Sequence, residues 1–137
     1  MCIRDRYRVN VRSALQLTQL LMPLLISAQG QIVFINSSAA HSTPANVGAY
    51  AATKHAAKAL ADGLRDEVNG FGIRVLSIFC GKVATSMQER ICRYEGKPFR
   101  QETMLRPEDV AVIVCNALAV PRTAEVTNVH VRPMRKA

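Results

Sequence analysis

The sequence has no tryptophan, and its three Tyr and four Phe make up only 5% of the 137 residues. An interior must therefore be built mainly from Leu, Val, Ile and Ala. That supply is sufficient, because 49% of the residues are hydrophobic. A chain of this length is expected to form one domain with a core of its own.

Long hydrophobic runs are also missing. The densest stretch, Ala14 to Ser27, is interrupted by two glutamines and Pro23, whereas a membrane-spanning helix needs about 18 or more consecutive apolar residues. No basic start followed by an apolar core and a small-residue cleavage site is found. We therefore expect no membrane partner and no secretory signal.

Metal-ligand spacing is absent as well. The short paired spacing of a zinc site is not seen among the cysteines, and the histidines share no ligand spacing. The residues concerned are Cys2, Cys80, Cys92 and Cys115, with His41, His55 and His130. We expect no metal site, free thiols and a cytoplasmic location.

Acidic residues are fewer than basic ones, at 10 Asp and Glu against 18 Lys and Arg, which gives a net charge of +8. Such a charge can attract nucleic acid or a phosphate-bearing cofactor. The basic residues are scattered, however, and form no stripe interleaved with aromatics. We therefore expect no nucleic-acid partner, since a recognition motif should accompany the charge.

The first six residues, MCIRDR, show no periodicity and look like a translated sequencing adapter, so we leave residues 1–6 out of the fold prediction. On this interpretation the natural chain begins upstream of Tyr7. Residues 7–137 are predicted to form a single domain.

Hydrophobic periodicity predicts alternating helices and strands. Short connections between them favour right-handed parallel crossovers and an α/β fold. The predicted elements are a helix over 7–28 ended by Gly30, a strand over 32–35, a helix over 47–68, a strand over 73–79, a short helix over 86–92, a helix from Arg106-Pro107 to Val120, and a strand over 125–131.

Polar side chains gather where the first strand ends and the next helix begins. Asn36, Ser37 and Ser38 follow the strand, at the edge where open parallel sheets bind ligands. Tyr50 and Lys54 lie four residues apart and so on one face of the helix. A hydroxyl, a phenol and an ammonium are therefore expected to face one small molecule.

This pattern resembles the second half of a short-chain dehydrogenase/reductase. The resemblance extends from Tyr7 to about Pro133 and rests on Asn10, Ser37, Tyr50-x-x-x-Lys54 and Gly81-x-x-x-Thr85. It implies a partial Rossmann-like, doubly wound parallel sheet. It also implies an oxidoreductase that uses NAD or NADP to interconvert a hydroxyl and a carbonyl group of a small-molecule substrate.

The resemblance implies a role for each residue of the set. Tyr50 would exchange a proton with the substrate oxygen, and Lys54 would assist it and hold the nicotinamide ribose. A free phenol has a pKa of about 10, so a nearby positive charge helps proton transfer at neutral pH. Ser37 would stabilise charge on the substrate oxygen, and Asn10 would anchor a water in a proton relay to Lys54. Contacts to the nicotinamide amide or the pyrophosphate would come from Gly81, Val83 and Thr85.

Alternatives remain at each position. Ser38 could replace Ser37, because loop lengths vary by one residue, although spacing favours Ser37. Asn10 could be a capping or surface residue. Tyr50 and Lys54 could form a solvated helix face.

The glycine-rich phosphate turn of the family is not present in these residues. Gly70-Phe71-Gly72 lacks a third glycine and follows a helix instead of a strand. Cys80 stands where the family usually has proline before Gly81. We therefore expect this chain alone to bind dinucleotide poorly and to be inactive, and Met87 to Leu105 to be the variable substrate segment.

A second interpretation, from another class, is a non-catalytic dimerisation module. The two long predicted helices would then form a subunit interface, and the polar residues would be incidental. A homo-oligomer through these helices is expected on either interpretation.

Overall fold

Three parallel strands form the sheet in this computed structural model, which describes residues 2–135. The strands are β1 (Gln31–Ser37), β2 (Arg74–Cys80) and β3 (Asn128–Val131), and they are paired in that order. Ser37 lies opposite Cys80, and Phe79 lies opposite His130. All three strands therefore end at the same edge, and the predicted partial Rossmann-like α/β sheet is confirmed.

Helices cover both faces of this sheet. They are α1 (Ile3–Tyr7), a π-helical segment (Arg8–Arg12), α2 (Ser13–Ala28), α3 (Gly48–Val68), α4 (Ser86–Tyr94) and α5 (Pro107–Leu118). The first three of these elements follow one another without a break and form one helix, Ile3–Ala28. Single turns of 3₁₀ helix occur at Ser38–Ala40, Asn69–Phe71 and Gln101–Thr103.

Strand β2 is the centre of the core, and every one of its residues is buried. Val75 packs with α2 and α3 residues on one face, whereas Leu76 and Ile78 pack with α5 on the other. Alternate residues of a strand point to opposite faces, so a continuous apolar run is what a strand covered on both sides requires. The same reasoning predicted this strand from the sequence.

The start of the first helix differs from the prediction. Ile3–Tyr7 is helical, so residues that were left out of the fold prediction form its first turn. The π-helical segment Arg8–Arg12 contains Asn10; such segments are rare and are often found at functional sites.

The end of α2 also differs, because Gln29 and not Gly30 stops the helix. Gln29 has φ 45°, in the left-handed region, and the amide of Gly30 bonds to the Leu25 carbonyl at 2.8 Å. A Cβ at Gly30 would lie 2.8 Å from Leu25 Cδ2, so a larger residue there would require the Leu25 side chain to move.

By length and composition, the helix Ile3–Ala28 could cross a membrane, although buried core helices of soluble proteins and signal sequences near an N-terminus satisfy the same criterion. Several of its large apolar side chains are exposed, among them Leu17, Leu20 and Leu24. The helix therefore has an apolar face that the described residues do not cover. The absence of a membrane partner stays a prediction.

The connection from α5 to β3 is a loop, where the sequence predicted a longer helix and an earlier strand. Arg74, at the start of β2, is buried, and its guanidinium donates hydrogen bonds to carbonyls of this loop and of the α5 end. The acceptors are Leu118 (3.1 Å), Val120 (3.0 Å), Pro121 (3.3 Å) and Ala124 (3.0 Å). The Arg74 guanidinium thus holds this loop and the end of α5 against the start of β2.

Replacing Arg74 with methionine should destabilise the fold, because several buried carbonyls would lose their donor. We expect a loss of about 3 kcal/mol in the free energy of unfolding, measured by urea denaturation. Arg122 is a matched control, since it also donates to two carbonyls but is exposed. Arg122→Met should lower the free energy of unfolding by no more than about 1 kcal/mol. Equal losses in the two variants would show that the buried contacts of Arg74 contribute no more than exposed ones.

Candidate active site

Asn36 connects the end of β1 to the helix that follows. Its side chain is buried, its Nδ2 donates to the Lys54 carbonyl at 3.2 Å, and its Oδ1 accepts from the Ser37 amide at 2.9 Å. A buried amide with both ends paired holds its neighbours in place. Asn36 therefore fixes the early turns of α3 against the end of the strand.

Tyr50 and Lys54 lie on these turns and face each other. Lys54 Nζ is 5.8 Å from the centre of the Tyr50 ring and 3.4 Å from the Ile35 carbonyl, to which it donates. The predicted shared face is thus present, with a cation–π contact between the two residues.

Lys54 is held in a partly desolvated position. Burial lowers the pKa of its ammonium below the ordinary value, and the nearby Cys80 thiol opposes part of that shift. Burial raises the pKa of the Cys80 thiol, and the charge of Lys54 offsets part of that rise. Cys80 ends β2 beside Ser37 in the register, so the ammonium lies close to the ends of two strands.

Ser37 is the last residue of β1, and its hydroxyl accepts a hydrogen bond from the Ala39 amide at 3.2 Å. This contact caps the Ser38–Ala40 turn, which contacts α3. A hydroxyl that accepts one bond still has a proton to donate. Ser38 is exposed, and the assignment of the substrate contact to Ser37 in place of Ser38 stays a prediction.

Asn10 reaches the same helix through Thr53. Asn10 Nδ2 donates to Thr53 Oγ1 at 3.0 Å, and Thr53 Oγ1 donates to the Tyr50 carbonyl at 2.8 Å. Thr53 is buried, so the π-helical segment is connected to the turn that carries Tyr50. A water relay from Asn10 to Lys54 stays a prediction.

The three residues after β2 that are predicted to contact the cofactor have structural partners. The Gly81 amide bonds to the Val131 carbonyl at 2.8 Å, and a Cβ on Gly81 would lie 3.0 Å from Pro133 Cδ. Val83 pairs with Leu105, and Thr85 caps α4 by accepting from the Gln88 amide at 3.2 Å. Each follows the end of β2, and their cofactor contacts stay predictions.

Sequence reasoning missed two residues that hold the site together. Neither Asn36 nor Thr53 was given a role, although both are polar residues in apolar or alanine-rich surroundings, which is the signal that could have identified them.

Two cavities lie away from this edge. One of about 350 Å³ lies beside Arg74 and Arg122, and one of about 150 Å³ lies between α2 and α3.

The arrangement as a whole can place a hydroxyl, a phenol and an ammonium at the carboxyl edge of a parallel sheet, where α/β proteins bind nucleotide cofactors. This defines a Rossmann-like protein with a paired tyrosine and lysine on the helix after the strand. A family model described as short chain dehydrogenase matches residues 2–95. The chain belongs to the short-chain dehydrogenase/reductase family, whose members are oxidoreductases.

Individual relatives agree with this assignment. The chain is 43% identical over 82 residues to a short-chain dehydrogenase of Penicillium crustosum, covering 60% of this chain and 30% of that protein. It is 31% identical over 129 residues to a short-chain type dehydrogenase/reductase of Sinorhizobium fredii, covering 91% of this chain and 52% of the relative. The chain thus spans about half the length of such relatives, or less.

The fold is shared with solved structures. An alcohol dehydrogenase from the archaeon Thermococcus sibiricus, complexed with 5-hydroxy-NADP, superposes with a TM-score of 0.81 at 22% identity. The match covers 96% of this chain and 54% of that one. At this identity the likeness shows the fold alone.

Replacing Thr53 with valine, which keeps its shape, should remove both the acceptor for Asn10 and the donor to the Tyr50 carbonyl. We expect a loss of about 1–2 kcal/mol in the free energy of unfolding, together with faster amide exchange in the first turns of α3. Thr53→Ser should restore both, and Thr18→Val controls for the same change at another buried threonine. A Thr53→Val variant no less stable than Thr18→Val would show that the connection contributes nothing.

Proposed function

We propose that this chain is the proton-transfer half of an oxidoreductase that uses NAD or NADP to interconvert a secondary alcohol and its carbonyl compound. The observation that carries the proposal is the position of Lys54, partly buried above the Tyr50 ring and beside the Ile35 carbonyl at the strand end. A solvated helix face would leave the ammonium in water and the phenol apart from it.

Tyr50 is the group that we expect to exchange a proton with the substrate oxygen. The positive charge of Lys54 stabilises negative charge that develops on the phenol oxygen. A positioned acid or base of this kind contributes about 10²- to 10⁴-fold to a rate. Ser37 donates a hydrogen bond to the same substrate oxygen and stabilises the charge on it.

The cofactor would supply the hydride, and the chain's own residues would position it. An ammonium has three donors, and the contact with Ile35 uses one, so Lys54 suits the hydroxyls of a ribose. The residues present therefore fit the nicotinamide end of a dinucleotide. They contain no glycine-rich turn for its pyrophosphate, which supports the expectation that the chain alone binds it poorly.

The complex of the archaeal alcohol dehydrogenase with an NADP derivative supports a nicotinamide cofactor, without choosing between NAD and NADP. All four cysteines are free thiols, which supports the proposed cytoplasmic location.

The activity is tested in a longer polypeptide that joins this chain to a glycine-rich cofactor-binding half. We expect cofactor-dependent oxidation of secondary alcohols by this polypeptide, and none by the 137-residue chain, followed by nicotinamide absorbance. Tyr50→Phe should lower kcat by about 10²- to 10⁴-fold.

Tyr94→Phe is the matched control, because Tyr94 is 93% exposed on α4, and it should leave kcat unchanged. Comparing Ser37→Ala with Ser38→Ala identifies which hydroxyl contacts substrate. Full activity of Tyr50→Phe would rule out the proposed chemistry, and turnover by the 137-residue chain would contradict its proposed dependence on the other half.

We also propose that the apolar face of the helix Ile3–Ala28 pairs with a second copy of the chain. Leu20 is 78% exposed there, and the shallow groove between α2 and α3 includes Ala59 and Gly63, where a neighbouring backbone can come close. Large exposed apolar faces are typical of interaction surfaces.

Leu20→Glu should therefore shift the chain from a dimer or larger assembly toward monomer, because it places a charge in an apolar contact. Sedimentation velocity at two concentrations measures the change. Met134→Glu is the control, at a fully exposed methionine outside this helix. A wild-type chain that is monomeric at both concentrations would count against self-association.

A further inference from the structure

Three aromatic rings stack at the carboxyl edge of the sheet, apart from the residues of the proposed reaction. The rings of His41 and Phe79 have centres 4.4 Å apart and meet edge to face at 70°. Phe79 and His130 are stacked at 4.9 Å with 20° between their planes. The two imidazoles are themselves 4.7 Å apart.

This stack joins three separate parts of the fold. His41 follows the Ser38–Ala40 turn, Phe79 is on β2, and His130 lies opposite Phe79 on β3. His41 therefore attaches the loop between Ser37 and Tyr50 to the two strands farther along the sheet. The remaining backbone bonds of this loop are local, from the His41 amide to the Ser38 carbonyl (3.0 Å) and from the Val47 amide to the Pro44 carbonyl (3.4 Å).

The surroundings of His41 disfavour a positive charge on its imidazole. The His41 side chain is largely exposed, but its contacts in the stack remove part of its hydration, and this lowers the pKa of His41 below its ordinary value of 6.5. The charges of His130 and of Lys58 and His55 on α3 lower it further, while Asp62 opposes them. Asp62 is already paired, since it accepts from Lys58 at 2.6 Å and from Arg65 at 3.0 Å.

We propose that the His41–Phe79–His130 stack is a pH-sensitive positioning device, which holds the loop between Ser37 and Tyr50 on the sheet while the His41 imidazole is neutral and releases it when His41 is protonated.

The direction of the pH effect follows from linkage between proton binding and the position of the loop. We call the loop closed when it is held on the sheet and open when it is released. A group whose pKa is lower in the closed state binds its proton more readily in the open state, so lower pH favours opening. The closed loop is fully favoured above about pH 6.5, the ordinary value for histidine, and loses that advantage as the pH falls below it. Opening rises by up to about tenfold per pH unit for each proton taken up.

A consequence for catalysis rests on the proposed function. If Ser37 and Tyr50 act on one substrate, release of the loop between them would lower kcat at acidic pH. The loop's own pH dependence can be measured without any activity, so failure of the two proposals can be told apart.

The test is amide hydrogen exchange of the 137-residue chain at pH 7.5 and pH 5.5, corrected for the intrinsic rate at each pH. The reporting amides are those of Ala39, His41 and Val47, which are hydrogen-bonded in the closed loop. We expect their protection to fall at pH 5.5, by at most about tenfold for the one proton that His41 takes up. Amides of β2 should keep their protection at both values.

Two variants isolate the imidazoles. His41→Phe keeps an aromatic ring in the stack but cannot be protonated, so this variant should leave the loop closed at pH 5.5. His130→Phe leaves His41 able to take up its proton but removes one of the groups that disfavour that proton, so this variant should open less than the wild-type chain. His55→Gln changes a residue outside the stack and removes only a minor contribution to the lowered pKa of His41, so this variant should still open at pH 5.5. The proposal is overturned if the phenylalanine variants open as the wild type does, if the wild type shows no response, or if β2 loses protection in parallel.

Discussion

The hydrogen bond from Asn36 to the Lys54 carbonyl is the constraint on which the candidate site depends. It fixes the beginning of α3 at the end of β1, and so determines where Tyr50 and Lys54 point. Thr53 secures the same turns from the other side through Asn10. Two buried polar contacts, from a strand and from a separate helix, thus orient one helical face.

The position of Lys54 has a cost that suits a binding site. Removing an ammonium from water disfavours its charge, as its lowered pKa shows. The contact with the Ile35 carbonyl is long, at 3.4 Å, and compensates only in part. A polar ligand with hydroxyl acceptors would satisfy the ammonium better than the protein does alone. An incompletely satisfied charge of this kind is typical of binding sites, whereas residues that only stabilise a fold have their partners within the protein.

The parts of the fold that rest on local pattern were predictable from the sequence. The apolar runs at 32–35 and 73–79 gave β1 and β2, Arg106-Pro107 gave the start of α5, and the spacing of Tyr50 and Lys54 gave their shared face. The parts that depend on distant partners were not. Arg74 selects the path of the loop after α5 through carbonyls more than 40 residues away, and no local pattern signals that.

The same limit applies within the site. Asn36 and Thr53 are recognisable in the sequence as polar residues among apolar neighbours, but their roles became clear only once helix and strand were in place. Their partners Lys54 and Asn10 lie 18 and 43 residues away in the chain. The choice between Ser37 and Ser38 turns on one residue of loop length, which spacing alone does not resolve. His41 and His130, which share no ligand spacing in the sequence, have ring centres 4.7 Å apart because the loop after β1 returns to the sheet edge where β3 ends.

The central claim is that Tyr50 and Lys54 form a cofactor-facing pair at the end of β1. The most direct measurement is a crystal structure, with NADP bound, of a longer polypeptide in which this chain is joined to a glycine-rich cofactor-binding half. The account predicts Lys54 Nζ within hydrogen-bonding distance of the nicotinamide ribose and the Tyr50 hydroxyl facing the substrate side of the nicotinamide ring. A dinucleotide bound elsewhere, or a Lys54 ammonium turned into solvent beside it, would contradict the account.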